Sequence, residues 1–320
     1  MHGVPGVYRY RRCVGCGSVY QDPRVVDEDL PLLYPDGYYT RRAGPVPLPA
    51  TQPGGRGRGL RGRIRAGILD ALAPATAADA PPLSRWGRVL ASSRWLRERA
   101  SYDLVPDEML PWKRPAGRAL DVGCGSGGLM LRLAALGWRV EGIEVDPETA
   151  AGARERTGFE VRVGRAEDLR REDLGAFDLV TGSHVLEHLA DPGRALRALC
   201  GLLNPGGRVV LIYPNPRSLG ARVFGEHWFS WDAPRHLVLP PPEAVPHLVG
   251  RRGLTVLSLR TLGRLAADHS MQSSAYRRGE GLQSGTPGLL DRGFAGAEWL
   301  LVASGWDVGE EILLALEAGR

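Results

Sequence analysis

The stretch Arg118-Ala119-Leu120-Asp121-Val122-Gly123-Cys124-Gly125-Ser126-Gly127-Gly128 decides the fold class. A short apolar strand runs into a turn with glycine at 123, 125 and 127, where missing Cβ atoms let backbone turn sharply and approach a ligand closely. Leu129 to Leu136 then spaces as a helix closed by Gly137. Gly123, Gly125 and Gly128 also satisfy a dinucleotide G-x-G-x-x-G spacing. Glu144 ends the next strand, where a carboxylate accepts from both hydroxyls of a ribose. A bare tight turn would not need that acid, so the stretch points to a nucleoside ligand and leaves its identity open.

Outward from this turn, strands and helices alternate. Arg139–Val145 is a strand, and Pro147–Arg156 a helix with Asp146 as cap and proline at its first position. Phe159–Val163, Phe177–Thr181 and Arg208–Tyr213 are further strands, and Ala195–Leu203 is a helix ending at Asn204-Pro205-Gly206-Gly207. Leu254–Leu262 and Glu310–Ala318 read as the last two strands, with a covering helix expected within 286–304. Such alternation gives an α/β, doubly wound parallel sheet whose ligand sits at the carboxyl ends of the strands.

The chain has 320 residues, 43% of them hydrophobic and 24% charged, which supports a packed core. No stretch nears the roughly 18 apolar residues of a membrane-spanning helix, and no signal-peptide pattern opens the chain. Four cysteines fit a reducing cytosol, so a cytoplasmic location is expected. The net charge of +5 is local: positions 54–118 carry +7 and the remainder −2. All but one of the basic residues are arginine, which reads as coding bias, and no nucleic-acid partner is indicated.

Three regions result: an arm at 1–53 with Cys, Tyr and Pro, a basic helical linker or cap at 54–115, and the main domain at 116–320. Leu60, Ile64, Ile68 and Leu72 recur every four residues beside Arg61, Arg63 and Arg65. That amphipathic helix either caps a domain edge or lies on an anionic membrane surface. Gly62 and Gly67 weaken a free-standing helix and favour the cap. A second helix is expected over 83–96.

Several motifs occur in order: Leu120 to Gly127, Gly142-Ile143-Glu144, Phe177-Asp178-Leu179-Val180 and Leu203-Asn204-Pro205-Gly206-Gly207. Together they resemble the class I S-adenosylmethionine-dependent methyltransferases. Within that family the likeness is to a bacterial group with an N-terminal CxxC zinc-ribbon-like arm and a PRHL motif. Here these are Cys13-Val14-Gly15-Cys16-Gly17, Tyr34 to Tyr39, Pro214-Asn215-Pro216 and Pro234-Arg235-His236-Leu237.

The resemblance implies a Rossmann-like seven-stranded sheet of order 3-2-1-4-5-7-6 and S-adenosylmethionine as cofactor. Asp121 would hold the amino group of its methionine part, Glu144 its ribose, and Gly123, Cys124, Gly125 and Gly127 would line it. Val145, Ala166, Glu167 and Ser183 complete the cofactor set. Arg165 stands where many relatives place an acid and cannot accept from an adenine amino group, so that contact passes to Glu167 or a backbone carbonyl.

Methyl transfer is an in-line displacement governed by alignment, and an oxygen nucleophile also needs a proton acceptor. His184, His188 and His236 are the candidates. Related O-methyltransferases carry an ExxEH run here that binds a divalent metal; His184 replaces its first position, so the expected ligands are His184, Glu187 and His188, with His236 completing the set. Asn215, Trp228, Arg235 and His236 are expected at the acceptor. Cys13 and Cys16 supply only half of a zinc site; the resembled group has a further CxxC upstream, so either the chain starts too late or the site has decayed.

The leading expectation is therefore a methyltransferase acting on an oxygen of a small-molecule or glycan/glycolipid-precursor acceptor. A nucleotide-sugar oxidoreductase using NAD(P) is the alternative, and it lacks a Tyr-x-x-x-Lys pair. An idle methyltransferase-like binding protein is the third reading. Oligomeric state and acceptor atom are not legible.

Overall fold

Strand β3 (Arg118–Val122) lies at the centre of the sheet and is covered on both faces: all its residues but Arg118 are buried. The computed structural model describes residues 6–26, 29, 32–33, 89–90, 92, 105–111, 116–250 and 254–318. Around β3 a seven-stranded sheet is built from β4 (Arg139–Glu144), β5 (Val161–Val163), β6 (Phe177–Ser183), β7 (Leu203–Pro214), β9 (Leu254–Leu262) and β10 (Glu311–Ala318), in the order β5-β4-β3-β6-β7-β10-β9. The pairs β3–β4, β3–β6, β4–β5 and β6–β7 are parallel, whereas β10 runs antiparallel to both β7 and β9.

The alternation of β strands places side chains on two buried layers. Val209, Leu211 and Tyr213 face one layer with Ile312, Leu314 and Leu316, and Val210 and Ile212 face the other with Leu313 and Ala315. Each side chain of this size contributes about 1.5–3 kcal/mol by leaving water. Helices cover both layers: α1 (Gly128–Ala135) and α2 (Pro147–Thr157) supply Met130, Leu133, Ala150 and Ala153 to one, and α4 (Pro192–Gly201) supplies Leu196 and Leu199 to the other. α3 (Arg171–Leu174) is a single turn between β5 and β6. Asp146 caps α2 by accepting from Thr149 N at 3.1 Å, and Asp191 caps α4 by accepting from Arg194 N at 2.9 Å.

Four features depart from the expectations above. Asn204-Pro205-Gly206-Gly207 does not end a helix outside the sheet: β7 already pairs at Leu203 with Phe177, and the extra residues are absorbed as an irregularity before Arg208 pairs with Leu179. Core burial also reaches N-terminal of 116, since Val105 and Met109 are buried with the sheet's residues and Met109 O accepts from Trp138 Nε1 at 3.0 Å. A helix over Ala266–Arg277 (α7) was unsignalled because its apolar spacing is weak. The helix within 286–304 is α8 (Leu289–Ala303), but most of it is exposed, with Glu298 its buried residue. The expected helix over 60–72 and most of that over 83–96 lie outside the described residues, as does Tyr34 to Tyr39.

The arm forms a hairpin, β1 (Tyr10–Arg12) and β2 (Val19–Gln21), whose turn holds Cys13 to Gly17. β2 pairs with β8 (Val238–Leu239), just after the PRHL residues, so the arm is stitched to the main domain. Tyr10 stacks on Trp231 at 5.2 Å, and its hydroxyl lies 2.8 Å from Trp231 O and 2.7 Å from His236 O. Val19, Phe224, Trp228 and Leu239 form a third apolar cluster beneath it, which α5 (Leu219–Phe224) and the segment to α6 (Val245–Val249) complete.

Candidate active site

The carboxyl ends of β3, β4 and β6 meet at the glycine turn. Gly123 has φ +66°, and a Cβ there would stand 2.5 Å from Val185 Cγ2. Gly125 has φ +51°, and no heavy atom lies within 4 Å of where its Cβ would be. The first glycine thus serves packing and the second leaves its side of the turn open. The turn is anchored by Gly123 N and Cys124 N, which both donate to Ile143 O, and by Arg156 Nη1 of α2, which donates to Ser126 O at 2.6 Å. Cys124 is buried, and that burial pushes its thiol up.

Glu144 closes the turn from the next strand. Its Oε2 accepts from Gly125 N at 2.8 Å, and its Oε1 accepts from Val145 N at 2.8 Å and Asp146 N at 3.2 Å. Asp121 is buried beside it, and burial together with the Glu144 charge raises its carboxyl to about 8. Two acids at the foot of the crevice disfavour a pyrophosphate, and the Gly125 N–H that would greet one already faces a carboxylate. A ligand bearing an ammonium group and a ribose diol relieves the repulsion instead. Ala166 is buried in the turn Ala166–Asp168, and the Glu167 carboxylate lies 3.8 Å from Arg165 Nη2. Val145 is exposed at the crevice rim, and Ser183 ends β6.

After β6 the chain makes a strained turn at His184 (φ +57°). His184 Nδ1 lies 3.2 Å from Glu187 Oε1, and Nε2 lies 3.1 Å from Glu311 Oε1. Hydrogen bonding to these two carboxylates outweighs burial and raises His184 to about 10, so it is an imidazolium. Both ring nitrogens of His184 are thus engaged by carboxylates. Glu311 also accepts from Arg264 Nε at 3.0 Å and Nη2 at 3.1 Å, and it is held well below the usual carboxylate range although buried.

Glu187, His188 and His236 are the group that comes together. Their ligand atoms all lie within 4.8 Å of one another, and among the described residues this is the group of three that could hold a metal ion. His188 Nδ1 lies 3.1 Å from Arg235 O and His236 Nδ1 lies 2.8 Å from Ser230 O. A carbonyl can only accept, so each Nδ1 carries a proton, and in the neutral ring it is Nε2 that offers a lone pair. Burial and the neighbouring His236 lower His188 to about 4. Glu187 is fully buried and held low, chiefly by His184 against the cost of burial. Its Oε2 has no hydrogen-bond partner, nor has the buried Tyr213 hydroxyl, which burial and the Glu187 charge push up. Glu187 Oε1 lies 3.9 Å from His236 Nε2, and a buried carboxylate beside two imidazoles is a donor set that fits a divalent cation.

Three residues expected at the acceptor are instead committed to the framework. Trp228 is fully buried and donates to Glu310 Oε2 at 2.8 Å. Arg235 is buried, forms a two-pronged pair with Asp232 at 3.0 and 2.7 Å, and donates to Leu33 O at 2.9 Å. Asn215 is buried and bonds Gly309 O, Asp307 O and Arg217 N. Glu311, Arg264 and Tyr213 were missed, and no local motif marks them. Cys13 and Cys16 share one turn, where hydrogen bonds with Cys16 and Gly15 lower the Cys13 thiol. Among the described residues no further ligand joins them.

A sheet of this order, a glycine turn closed by an acid on the second strand and a buried acid at the end of the first define the S-adenosylmethionine-dependent methyltransferase class. The family described as methyltransferase domain matches residues 94–259, just over half of the chain, and the chain belongs to that family. It is 40% identical over 129 residues to a ubiquinone biosynthesis O-methyltransferase of Xanthomonas axonopodis pv. citri, covering 38% of this chain and 54% of that protein. It is 39% identical over 125 residues to the protein of that name in Xanthomonas euvesicatoria pv. vesicatoria, covering 37% and 52%. The chain thus spans about half the length of the curated relatives it matches. Among solved structures, an S-adenosylmethionine-dependent methyltransferase of Mesorhizobium loti superposes with a TM-score of 0.42 at 18% identity, over 71% of this chain and 99% of that one.

Proposed function

We propose that this chain transfers the methyl group of S-adenosylmethionine to a hydroxyl oxygen of a small-molecule or glycan/glycolipid-precursor acceptor, with a divalent cation held by Glu187, His188 and His236. The observation that carries the reading is the buried Glu187 Oε2 without a partner, set against two histidines whose Nδ1 atoms are fixed by carbonyls. The curated relatives that share the core are named O-methyltransferases, which agrees with oxygen as the acceptor atom.

When bound, the cation would lower the pKa of the acceptor hydroxyl by Lewis-acid polarisation. The chain's own residues set the geometry. Asp121 and Glu144 orient the methyl donor, with Ala166 and Glu167 on its adenine side and Ser183 and Val145 at the rim. His184, fixed between two carboxylates, holds Glu187 Oε1 and so fixes the carboxylate in place. The acceptor oxygen attacks the methyl carbon in line as the carbon–sulfur bond breaks, leaving a neutral thioether, and the hydroxyl proton passes to solvent or a buffer base.

The test is release of S-adenosylhomocysteine with hydroxylated acceptors, before and after chelation. The expected result is activity lost on chelation and restored by Mg²⁺ or Mn²⁺, with Glu187→Gln abolishing Mn²⁺ binding in calorimetry. Full activity in chelated protein that binds no Mn²⁺ would refute the cation.

A further inference from the structure

A second concave site lies at the same sheet edge. β10 runs antiparallel to β7 with Glu311 opposite Pro214, so the residues just before β10 and just after β7 come together there. Between them is a cavity of about 420 Å³ lined by Arg217, Arg222, Glu243, Trp306, Asp307 and Val308, within the range of about 300–1,000 Å³ usual for small ligands. None of these residues belongs to the candidate active site.

The walls are fixed. Asn215 Nδ2 donates to Asp307 O at 3.3 Å and Gly309 O at 2.9 Å, Leu219 N donates to Val308 O at 2.8 Å, and Arg217 pairs with Glu243. Against this frame three side chains are uncommitted. Trp306 is 58% exposed. The Arg222 guanidinium and the Asp307 carboxylate have no hydrogen-bond or ion-pair partner among the described residues.

The chemistry of the lining selects its occupant. Two arginines face two carboxylates, so the cavity is charge-balanced and an anion would meet repulsion as well as attraction. A wholly apolar ligand would strand four charged groups away from water. A ligand that suits the lining presents one flat C–H face to the indole and donors and acceptors around its rim, as the hydroxyls of a pyranose do. A guanidinium and a carboxylate in one wall can bond adjacent hydroxyls, donating to one oxygen and accepting from the next.

We propose that this cavity binds a neutral sugar ring, stacked on Trp306 and bonded by Arg222 and Asp307. This stands apart from the methyl-transfer reading, because it requires neither the cofactor nor the cation.

The test is saturation-transfer NMR on the full chain with the methyl pyranosides of glucose, galactose, mannose and N-acetylglucosamine, beside the free sugars. At least one should bind in the millimolar range. Trp306→Ala should weaken it roughly tenfold, about 1.4 kcal/mol, and Asp307→Asn should do likewise. Both variants should bind S-adenosylmethionine as the unaltered chain does, which shows that they fold. Methyl glycosides binding as well as free sugars would indicate a sugar joined through its anomeric oxygen, and preference for the free form a soluble sugar; either supports the site. Absence of binding at about 50 mM, indifference to Trp306→Ala, or binding of inorganic phosphate or uridine at this cavity in place of the glycosides would overturn it.

Discussion

Replacing Glu311 with glutamine tests whether the last strand organises the active site. The carboxylate is fully buried and takes His184 Nε2 at 3.1 Å and Arg264 through two bonds at 3.0 and 3.1 Å. Removing one partner of a buried charge set costs about 3–5 kcal/mol. Glutamine can still accept one bond, so the lower end, about 3 kcal/mol, is expected. For a chain of this size that lowers the melting temperature by about 4–5 °C. The pH dependence follows from both partners. Glu311 is held below its ordinary 4.5, so its contribution is present above that value and lost as pH falls. His184 is raised from 6.5 to about 10, so its contribution is full below 6.5 and lost as pH rises toward 10. The difference between the two proteins should therefore be largest between 4.5 and 6.5. Thermal and urea unfolding of chelated protein across pH would measure it. A melting temperature within about 1 °C of the unaltered chain, or a difference independent of pH, would refute the reasoning.

Binding of S-adenosylmethionine near neutral pH should release protons, because Asp121, raised to about 8, must ionise to meet an ammonium group. Calorimetry in buffers of different ionisation enthalpy would count them, and Asp121→Asn should abolish the release and weaken binding about 10- to 100-fold. Glu298 is raised from 4.5 to about 9 by burial and Glu310, so it destabilises the fold as pH rises through that range. Glu298→Gln should be near neutral below about pH 4.5 and increasingly more stable than the unaltered chain as pH rises from there to about 9, as denaturant titration would show. Gly123→Ala combines a positive φ with a Cβ 2.5 Å from Val185 Cγ2 and should lose cofactor binding in the same calorimetry. Tyr10→Phe should cost about 1 kcal/mol and expose the arm to limited proteolysis, since its hydroxyl ties β1 to the Trp231–His236 segment.

Much of the sheet was legible because its signals are local. The run at 118–128 carries its own strand, turn and helix start, and Glu144 lies close enough in the chain to be read with them. The histidine run was also visible, but its roles were not. His184 and His188 are four residues apart, yet one is an imidazolium between carboxylates and the other a neutral ring facing Glu187. Trp228 and Arg235 looked like acceptor residues because large aromatic and cationic side chains on a loop after a strand often are. Burial beneath the arm and a pair with Asp232 give them other partners.

Sequence alone determined the class of fold and the glycine turn with its closing acid, because backbone turns, helix caps and a following acid act over a few residues. Tertiary structure decided which histidines keep a lone pair. Glu311 lies 127 residues from His184 and reaches it only because β10 inserts between β7 and β9. Protonation at that point depends on charges brought together by the fold, and no short-range pattern in the chain encodes such a meeting.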